Sequence, residues 1–171
     1  MPPVASFFSQ SYAEAREKFL KATEAAGGKI VESFAHPMKG PDGGALATDV
    51  AWIGPRSARK RLLLISSTHG IEGYCGSGCQ ISWLENRLYY RDAKPDIAVI
   101  LVHAINPHGF AWIRRVTEDN VDLNRNFVDF SKPLPENPGY DELADALLPN
   151  TWTDASLGAA RDALEAYRAK H

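Results

Sequence analysis

The spacing of apolar residues changes along the chain, and each change predicts an element. The first segment, from about Ser11 to Ala26, has apolar residues at helical spacing and starts with the capping-box pair Ser11 and Glu14. Two further runs, Lys29 to His36 and Thr48 to Ile53, are typical of strands. The loop between them is rich in turn-forming residues and therefore predicts an antiparallel hairpin.

The middle of the chain predicts a parallel crossover. Arg61 to Ser67 and Asp96 to Val102 are almost continuously apolar, as expected for strands that are covered on both faces. The segment between them, from about Ile71 to Tyr90, is predicted to be helical. A strand, a helix and a strand in this order imply a right-handed parallel crossover. We therefore expect an α/β fold with a mixed, partly parallel sheet and flanking helices.

The last third of the chain is less regular. Residues 103–138 are polar and rich in proline, which predicts a long loop. A short helix is predicted from Gly139 to Leu148, and a last helix begins at Thr153 or Asp154. That helix reaches His171 without a closing turn. We expect residues 1–171 to form a single α/β domain that is the N-terminal portion of a longer catalytic domain.

Composition and charge exclude several classes of protein. The 171 residues are 44% hydrophobic and 23% charged, with a net charge of -2, which is typical of a globular protein. This charge favours neither a nucleic acid nor a membrane surface as partner. The sequence shows no membrane-spanning run and no secretory signal, so the default expectation is a cytoplasmic protein. Cys75 and Cys79 lie four apart in the predicted helix, and we expect two buried thiols.

A histidine and a glutamate follow the first of the two long apolar runs. His69 and Glu72 lie three apart in the segment Thr-His-Gly-Ile-Glu-Gly. Ligands of open α/β sheets bind beyond the carboxyl ends of the strands, and an imidazole nitrogen with a carboxylate oxygen suits zinc. The alternative is that His69 caps the helix while Glu72 complements its dipole. Residues 69–72 taken alone favour the capping interpretation.

A second polar cluster follows the next apolar run and carries the residues Arg114, Arg115, Asp122, Asn124 and Arg125. Guanidinium groups offer forked donors that match a carboxylate or an oxyanion. Asp122 is placed to orient His69 through the free ring N–H. The alternative for Asp122 and Arg125 is an ion pair that only fixes a loop.

These motifs together resemble a known superfamily. The order H-x-x-E, N-P-x-G, an arginine and D-x-N-R is similar to that of the M14 zinc carboxypeptidases and of their deacylase relatives, the succinylglutamate desuccinylase and aspartoacylase group. The stretches THGIEGYCGSG and RRVTEDNVDLNRNF most resemble the DUF2817 family of M14-like metallopeptidases. The resemblance implies a zinc-carboxypeptidase-like fold that is incomplete in this chain.

The resemblance also implies a metal. His69 and Glu72 would be ligands of Zn²⁺, and Asp122 would orient His69 by accepting its free ring N–H. The family pattern has a third ligand, a histidine, after the D-x-N-R motif, and a later glutamate as general base. After Phe127 the chain has one histidine, His171, which stands at the end of the last predicted helix. The third ligand is therefore not found after the motif. His103 lies near a strand end, but the family order argues against it as the third ligand, because it precedes the motif.

Roles in substrate binding follow from the same resemblance. Asn124 and Arg125 would hold the terminal carboxylate of the substrate. Arg115 would polarise the scissile carbonyl and stabilise its oxyanion, with Arg114 as the competing candidate for this role.

The function expected from the sequence is that of a zinc-dependent hydrolase of the carboxypeptidase type. It would cleave a peptide or amide bond next to a free carboxylate, and the 171-residue chain alone would be inactive or nearly so. One alternative is an N-acyl-amino-acid deacylase of the aspartoacylase type. The other is a non-enzymatic domain that binds carboxylates through Arg115, Asn124 and Arg125. The expected partner is a peptide or an acyl amino acid with a free carboxylate.

Overall fold

A computed structural model describes residues 3–89 and 96–171 of the chain. The strands are β1 (Lys29–Lys39), β2 (Ala45–Ile53), β3 (Lys60–Ile65) and β4 (Ile97–His103). The helices are α1 (Tyr12–Ala25), α2 (Gly73–Glu85), α3 (Pro107–Ala111), α4 (Pro138–Leu147) and α5 (Asp154–Lys170). Two 3-10 turns, Val4–Phe7 and Gly70–Glu72, precede α1 and α2.

The chain divides into two compact units, Met1–Phe127 and Val128–His171. The second unit contains α4 and α5, which pack on each other. Thr153 caps α5 in a reciprocal capping box with Ser156, and this bonding supplies partners for the free N–H groups of the first turn. No helix in residues 3–89 or 96–171 is long and apolar enough to cross a bilayer.

The first unit is built on a four-stranded sheet in the order β1-β2-β4-β3. β1 and β2 form the predicted antiparallel hairpin, and β2 also pairs antiparallel with β4. β3 and β4 pair in parallel, with Ile65 opposite Val102. The expected mixed, partly parallel sheet with flanking helices is confirmed. Because β3 and β4 are parallel neighbours, the segments that follow them start at the same end of the sheet, beyond the carboxyl ends of the two strands.

One face of the sheet carries the core. Alternate residues of β2 and β4 point to this face and oppose each other in register, as Ala51 does with Leu101. The helices α1 and α2 cover them with a shared apolar surface. The buried residues of this cluster include Phe19, Ile53, Ile81, Leu84, Val99 and Leu101.

The first long apolar run is not covered on both faces, and that expectation was wrong. β3 stands at the edge of the sheet, with β4 as its pairing partner. Leu62, Leu63 and Ile65 are each about half exposed, at 48%, 53% and 46%. An apolar run predicts that a strand is present, but it does not indicate whether other strands or helices cover that strand.

The prediction of buried cysteines was also wrong, because Cys75 and Cys79 are both exposed. The buried face of α2 contains Ser77, Ile81 and Leu84, which recur at spacings of three and four. Positions 75 and 79 point away from that face. The predicted end of this helix, Tyr90, lies outside the described residues.

Candidate functional site

Two segments meet where β3 and β4 end. Beyond the strands, the backbone N–H of Ile105 donates to the carbonyl of Ser66, and that of Asn106 donates to Ser67. The pairing of the strands is thereby prolonged into the connecting segments. His69 lies just beyond this point on one segment, and α3 begins on the other.

Two motif glycines allow the segments to approach closely. A Cβ on Gly70 would lie 2.0 Å from the carbonyl carbon of Gly109, and a Cβ on Gly73 would lie 2.6 Å from the ring of Phe110. Neither position therefore accepts a side chain without a shift of its neighbour. The side chain of Asn106 caps α3 by accepting from the N–H of Gly109 at 2.8 Å. The H-G-x-E-G and N-P-x-G patterns thus fit against each other.

Both ring nitrogens of His69 face carboxylates. Nδ1 lies 3.0 Å from Oε1 of Glu72, and Nε2 lies 3.0 Å from Oδ1 of Asp122. The His69 side chain is 9% exposed, whereas the Glu72 side chain is 65% exposed. Among the described residues His69 makes no side-chain bond that caps the turn after it, so the contacts seen are not those of the capping alternative.

The contacts of His69 fit either a proton or a metal ion. A neutral imidazole carries one N–H and can donate to one of the two carboxylates. At the other nitrogen, a lone pair faces a carboxylate oxygen at 3.0 Å, which is repulsive unless a proton or a metal ion lies between them. Donor atoms of a tetrahedral zinc site lie about 3.4 Å apart at ordinary bond lengths. The gap between His69 Nδ1 and Glu72 is within a few tenths of an ångström of that value.

Asp122 joins the histidine to an arginine. Its Oδ2 accepts from Nε of Arg115 at 2.8 Å, and its Oδ1 also accepts from the backbone N–H of Asn124 at 2.9 Å. Desolvation acts to raise the pKa of Asp122, but the bonds from Arg115, Asn124 and His69 outweigh it and hold this pKa below its ordinary value. Asp122 therefore stays an anion beside the imidazole.

The arginine loop is attached to the histidine turn through the main chain. The N–H of Gly70 donates to the carbonyl of Arg115, and that of Ile71 donates to the carbonyl of Arg114, both at 3.2 Å. The two side chains then diverge. Arg115 pairs with Asp122, whereas Nη2 of Arg114 donates to the side chain of Asn120.

Asn124 and Arg125 lie on the exposed side of this loop. Nη1 of Arg125 donates to the carbonyl of Asn124 at 3.0 Å. Among the described residues Asp122 pairs with Arg115 and His69 and not with Arg125, so Asp122 does form an ion pair within the loop, but Arg125 is not its partner. Arg125 lines an open cleft of about 290 Å³ together with Val121, Asp122 and Asn126.

A complete metal site is not present in the described part of the chain, where no group of three or more His, Cys, Asp or Glu residues could hold an ion. His103 is fully buried, with Nε2 2.8 Å from Oγ of Ser77. The ring of His171 stacks on Tyr167 in the second unit. His69 and Glu72 fit two positions of a zinc site, and neither of these further histidines supplies a third beside them.

Several solved structures share part of the fold. The match to thrombin activatable fibrinolysis inhibitor has 18% identity and a TM-score of 0.46, and covers 69% of this chain and 34% of that one. The match to glutaminyl cyclase from Fimbriiglobus ruber has 15% identity and a TM-score of 0.36, and covers 58% of this chain and 40% of that one. The match to glutaminyl cyclase from Porphyromonas gingivalis has 18% identity and a TM-score of 0.34, and covers 60% of this chain and 48% of that one. The matched region is less than half of each of these proteins, and such partial likenesses carry no argument about function.

No protein of curated function matches this chain. The family model DUF2817, described as a protein of unknown function, matches residues 8–171. This match spans almost the whole sequence and includes every residue of the site described above. The chain belongs to the DUF2817 family.

Proposed function

We propose that this chain carries part of the active site of a zinc-dependent hydrolase of the carboxypeptidase type. The substrate class would be a peptide or an acyl amino acid with a free carboxylate next to the bond that is cleaved. The observation that carries the proposal is the pair of contacts of His69. One ring nitrogen is held by Asp122, and the other faces Glu72 across a gap that suits a cation.

His69 and Glu72 would hold the metal. In the tautomer that carries the proton on Nε2, His69 donates to Asp122, which leaves the Nδ1 lone pair directed toward Glu72 and raises its basicity. When bound, zinc polarises a carbonyl group and lowers the pKa of a bound water. Two protein ligands bind zinc more weakly than three, so a third ligand and a general base would have to be added for full activity. We therefore expect the 171-residue chain alone to be inactive or nearly so, as one portion of a longer catalytic domain.

The arginines would bind the substrate. Arg115 gives its Nε–H to Asp122, and no bond of its two terminal NH₂ groups is seen within residues 3–89 and 96–171, so these groups would stabilise charge on the carbonyl oxygen. Its side chain is 49% exposed and is therefore accessible to a ligand. Asn124 and Arg125 would hold the terminal carboxylate, since Arg125 lines the open cleft beside Asp122. The bonding of Arg115 to Asp122 favours it over Arg114 for the role at the carbonyl.

Zinc titration tests the proposal directly. We expect the chain to bind one zinc ion weakly in a calorimetric titration, because it supplies two protein ligands, and His69→Ala to abolish measurable binding. Glu72→Gln should weaken it as well, because an amide is a poorer ligand than a carboxylate. The matched control is His171→Ala, which removes a histidine that stacks on Tyr167. Equal zinc affinity in wild type and His69→Ala would refute the assignment.

A ligand comparison separates an enzyme from a simple binding domain. An N-acyl amino acid and its amide differ only in the terminal carboxylate that Arg125 and Asn124 would bind. Tighter binding of the acid together with zinc binding supports the hydrolase. The same preference for the acid with no zinc binding would favour the carboxylate-binding domain. Comparison of a peptide with a short acyl amino acid then distinguishes the carboxypeptidase from the deacylase.

A further inference from the structure

A short loop carries both Arg115 and Asp122, and its tip is a tight turn. The N–H of Thr117 donates to the carbonyl of Val121 at 3.0 Å, and the N–H of Asn120 donates back to Thr117 at 3.1 Å. Asn120 has a φ of 61°, a left-handed conformation that asparagine tolerates. The bond between Arg115 and Asp122 closes the loop behind this turn. The position of the turn therefore sets the position of that pair.

The turn is anchored to β1 by one side-chain pair. Glu118 projects from the turn, and its Oε1 lies 3.1 Å from Nε2 of His36. Nδ1 of His36 accepts from the backbone N–H of Met38 at 3.1 Å, so the ring proton is on Nε2 and is donated to Glu118. Both side chains are mostly buried, at 13% and 28% exposure. A bond with this degree of burial is worth more than a surface ion pair.

Further contacts surround this anchor. The His36 ring stacks on that of His108, with 5.8 Å between the ring centroids, and His108 contacts Trp112 at 5.9 Å. Nε1–H of Trp112 donates to the carbonyl of Lys39 at 3.0 Å. The far end of β1 therefore holds the chain on both sides of Arg115, at position 112 and at position 118.

We propose that His36 and Glu118 are positioning residues that hold the Arg115–Asp122 pair against His69. This inference rests on the proposed function, because it assigns the anchored pair to a metal site. The contacts of the anchor described above are to the turn, to β1 and to the ring of His108, so its effect on the site passes through the path of the loop. Functional groups act well only when supporting contacts lock their geometry. Loss of the anchor should loosen the loop and let Asp122 withdraw from the imidazole.

The test compares Glu118→Ala with Glu118→Gln, whose amide oxygen still accepts from His36. Asp119→Ala is the matched control, since it removes an exposed carboxylate from the same turn. We expect Glu118→Ala to speed hydrogen exchange of the Gly70 and Ile71 amides by at least ~10-fold, with the Leu101 amide of the core unchanged. Zinc affinity should fall by about 10-fold. Glu118→Gln and Asp119→Ala should stay within about 3-fold of wild type in both measurements.

Each outcome decides the inference. Unchanged exchange at Gly70 and Ile71 in Glu118→Ala overturns it, and so does faster exchange with an unchanged zinc affinity, since the anchor would then be structural only. If wild type binds no zinc, the proposed function fails, and the exchange rates alone decide whether the anchor holds the loop. His36→Phe provides a second variant that keeps a ring against His108 but removes the bond to Glu118. It should reproduce the effect of Glu118→Ala.

Discussion

The fully buried histidine at the end of β4 should make the stability of this protein sensitive to acid. His103 is stacked on Phe19, with 4.5 Å between the ring centroids, and its Nε2 contacts the hydroxyl of Ser77. Burial lowers the pKa of His103 from 6.5 to about 4. The imidazole is therefore neutral in the folded protein at pH values where it would already be charged in the unfolded chain.

The magnitude follows from the difference between the two pKa values. A gap of about 2.5 corresponds to about 3 kcal/mol of folding free energy. Because the folded pKa is the lower one, this contribution is fully present above pH 6.5 and is lost as the pH falls through 6.5 toward 4. Between pH 7 and pH 5 we expect His103 alone to remove about 2 kcal/mol from the free energy of unfolding.

The assay is urea denaturation of wild type and His103→Gln at pH 7 and pH 5. Other groups titrate in both proteins, so the difference between their pH-dependent losses isolates His103. Wild type should lose about 2 kcal/mol more than the variant. Equal losses would refute the reasoning. If the variant does not fold, an NMR titration of the His103 ring in wild type decides, and a midpoint near 6.5 would contradict the effect of burial.

Three substitutions test other parts of the structure. Asp122→Asn weakens the acceptor at His69 Nε2, so zinc affinity should fall by about 10- to 100-fold in a calorimetric titration; an unchanged affinity would contradict this. Gly70→Ala places a Cβ 2.0 Å from the backbone next to α3, and urea denaturation should show a loss of at least about 1–3 kcal/mol, whereas wild-type stability would disprove the contact. In Arg16→Ala the buried Asp49 carboxylate loses the guanidinium that lies 2.7 Å away, and we expect the free energy of unfolding to fall by about 3 kcal/mol. A fall of less than about 1 kcal/mol would show that the pair stabilises the fold no more than a surface ion pair does.

Local patterns predicted the elements well, because periodicity and caps act over a few residues. The helix that starts after Ser11 is capped by that side chain, and the parallel pairing of β3 with β4 followed from the order of elements. The exposed edge of β3 was not predictable in this way. Whether a strand is central or at an edge depends on the order of strands in space, which an apolar run does not encode.

The candidate site, like the fold, could be predicted only in part. His69 and Glu72 lie three apart, so their convergence could be predicted from spacing and chemistry. Arg114 and Arg115 are adjacent residues of one type, and sequence alone could not choose between them. The loop geometry brings Arg115, not Arg114, to Asp122. The contact between His36 and Glu118 joins distant parts of the sequence, and no motif indicated it.

The backbone bonds between Gly70 and Arg115 and between Ile71 and Arg114 attach the loop to the histidine turn without using the side chains of the two arginines. Every residue type offers a carbonyl at positions 114 and 115, so these two main-chain attachments of the loop do not depend on which side chains stand there. A substitution at either position therefore leaves this attachment in place. The guanidinium of Arg115 is needed for its bond to Asp122, so within the family we expect ligand preferences to diverge at position 114 while Arg115 and the histidine turn are kept.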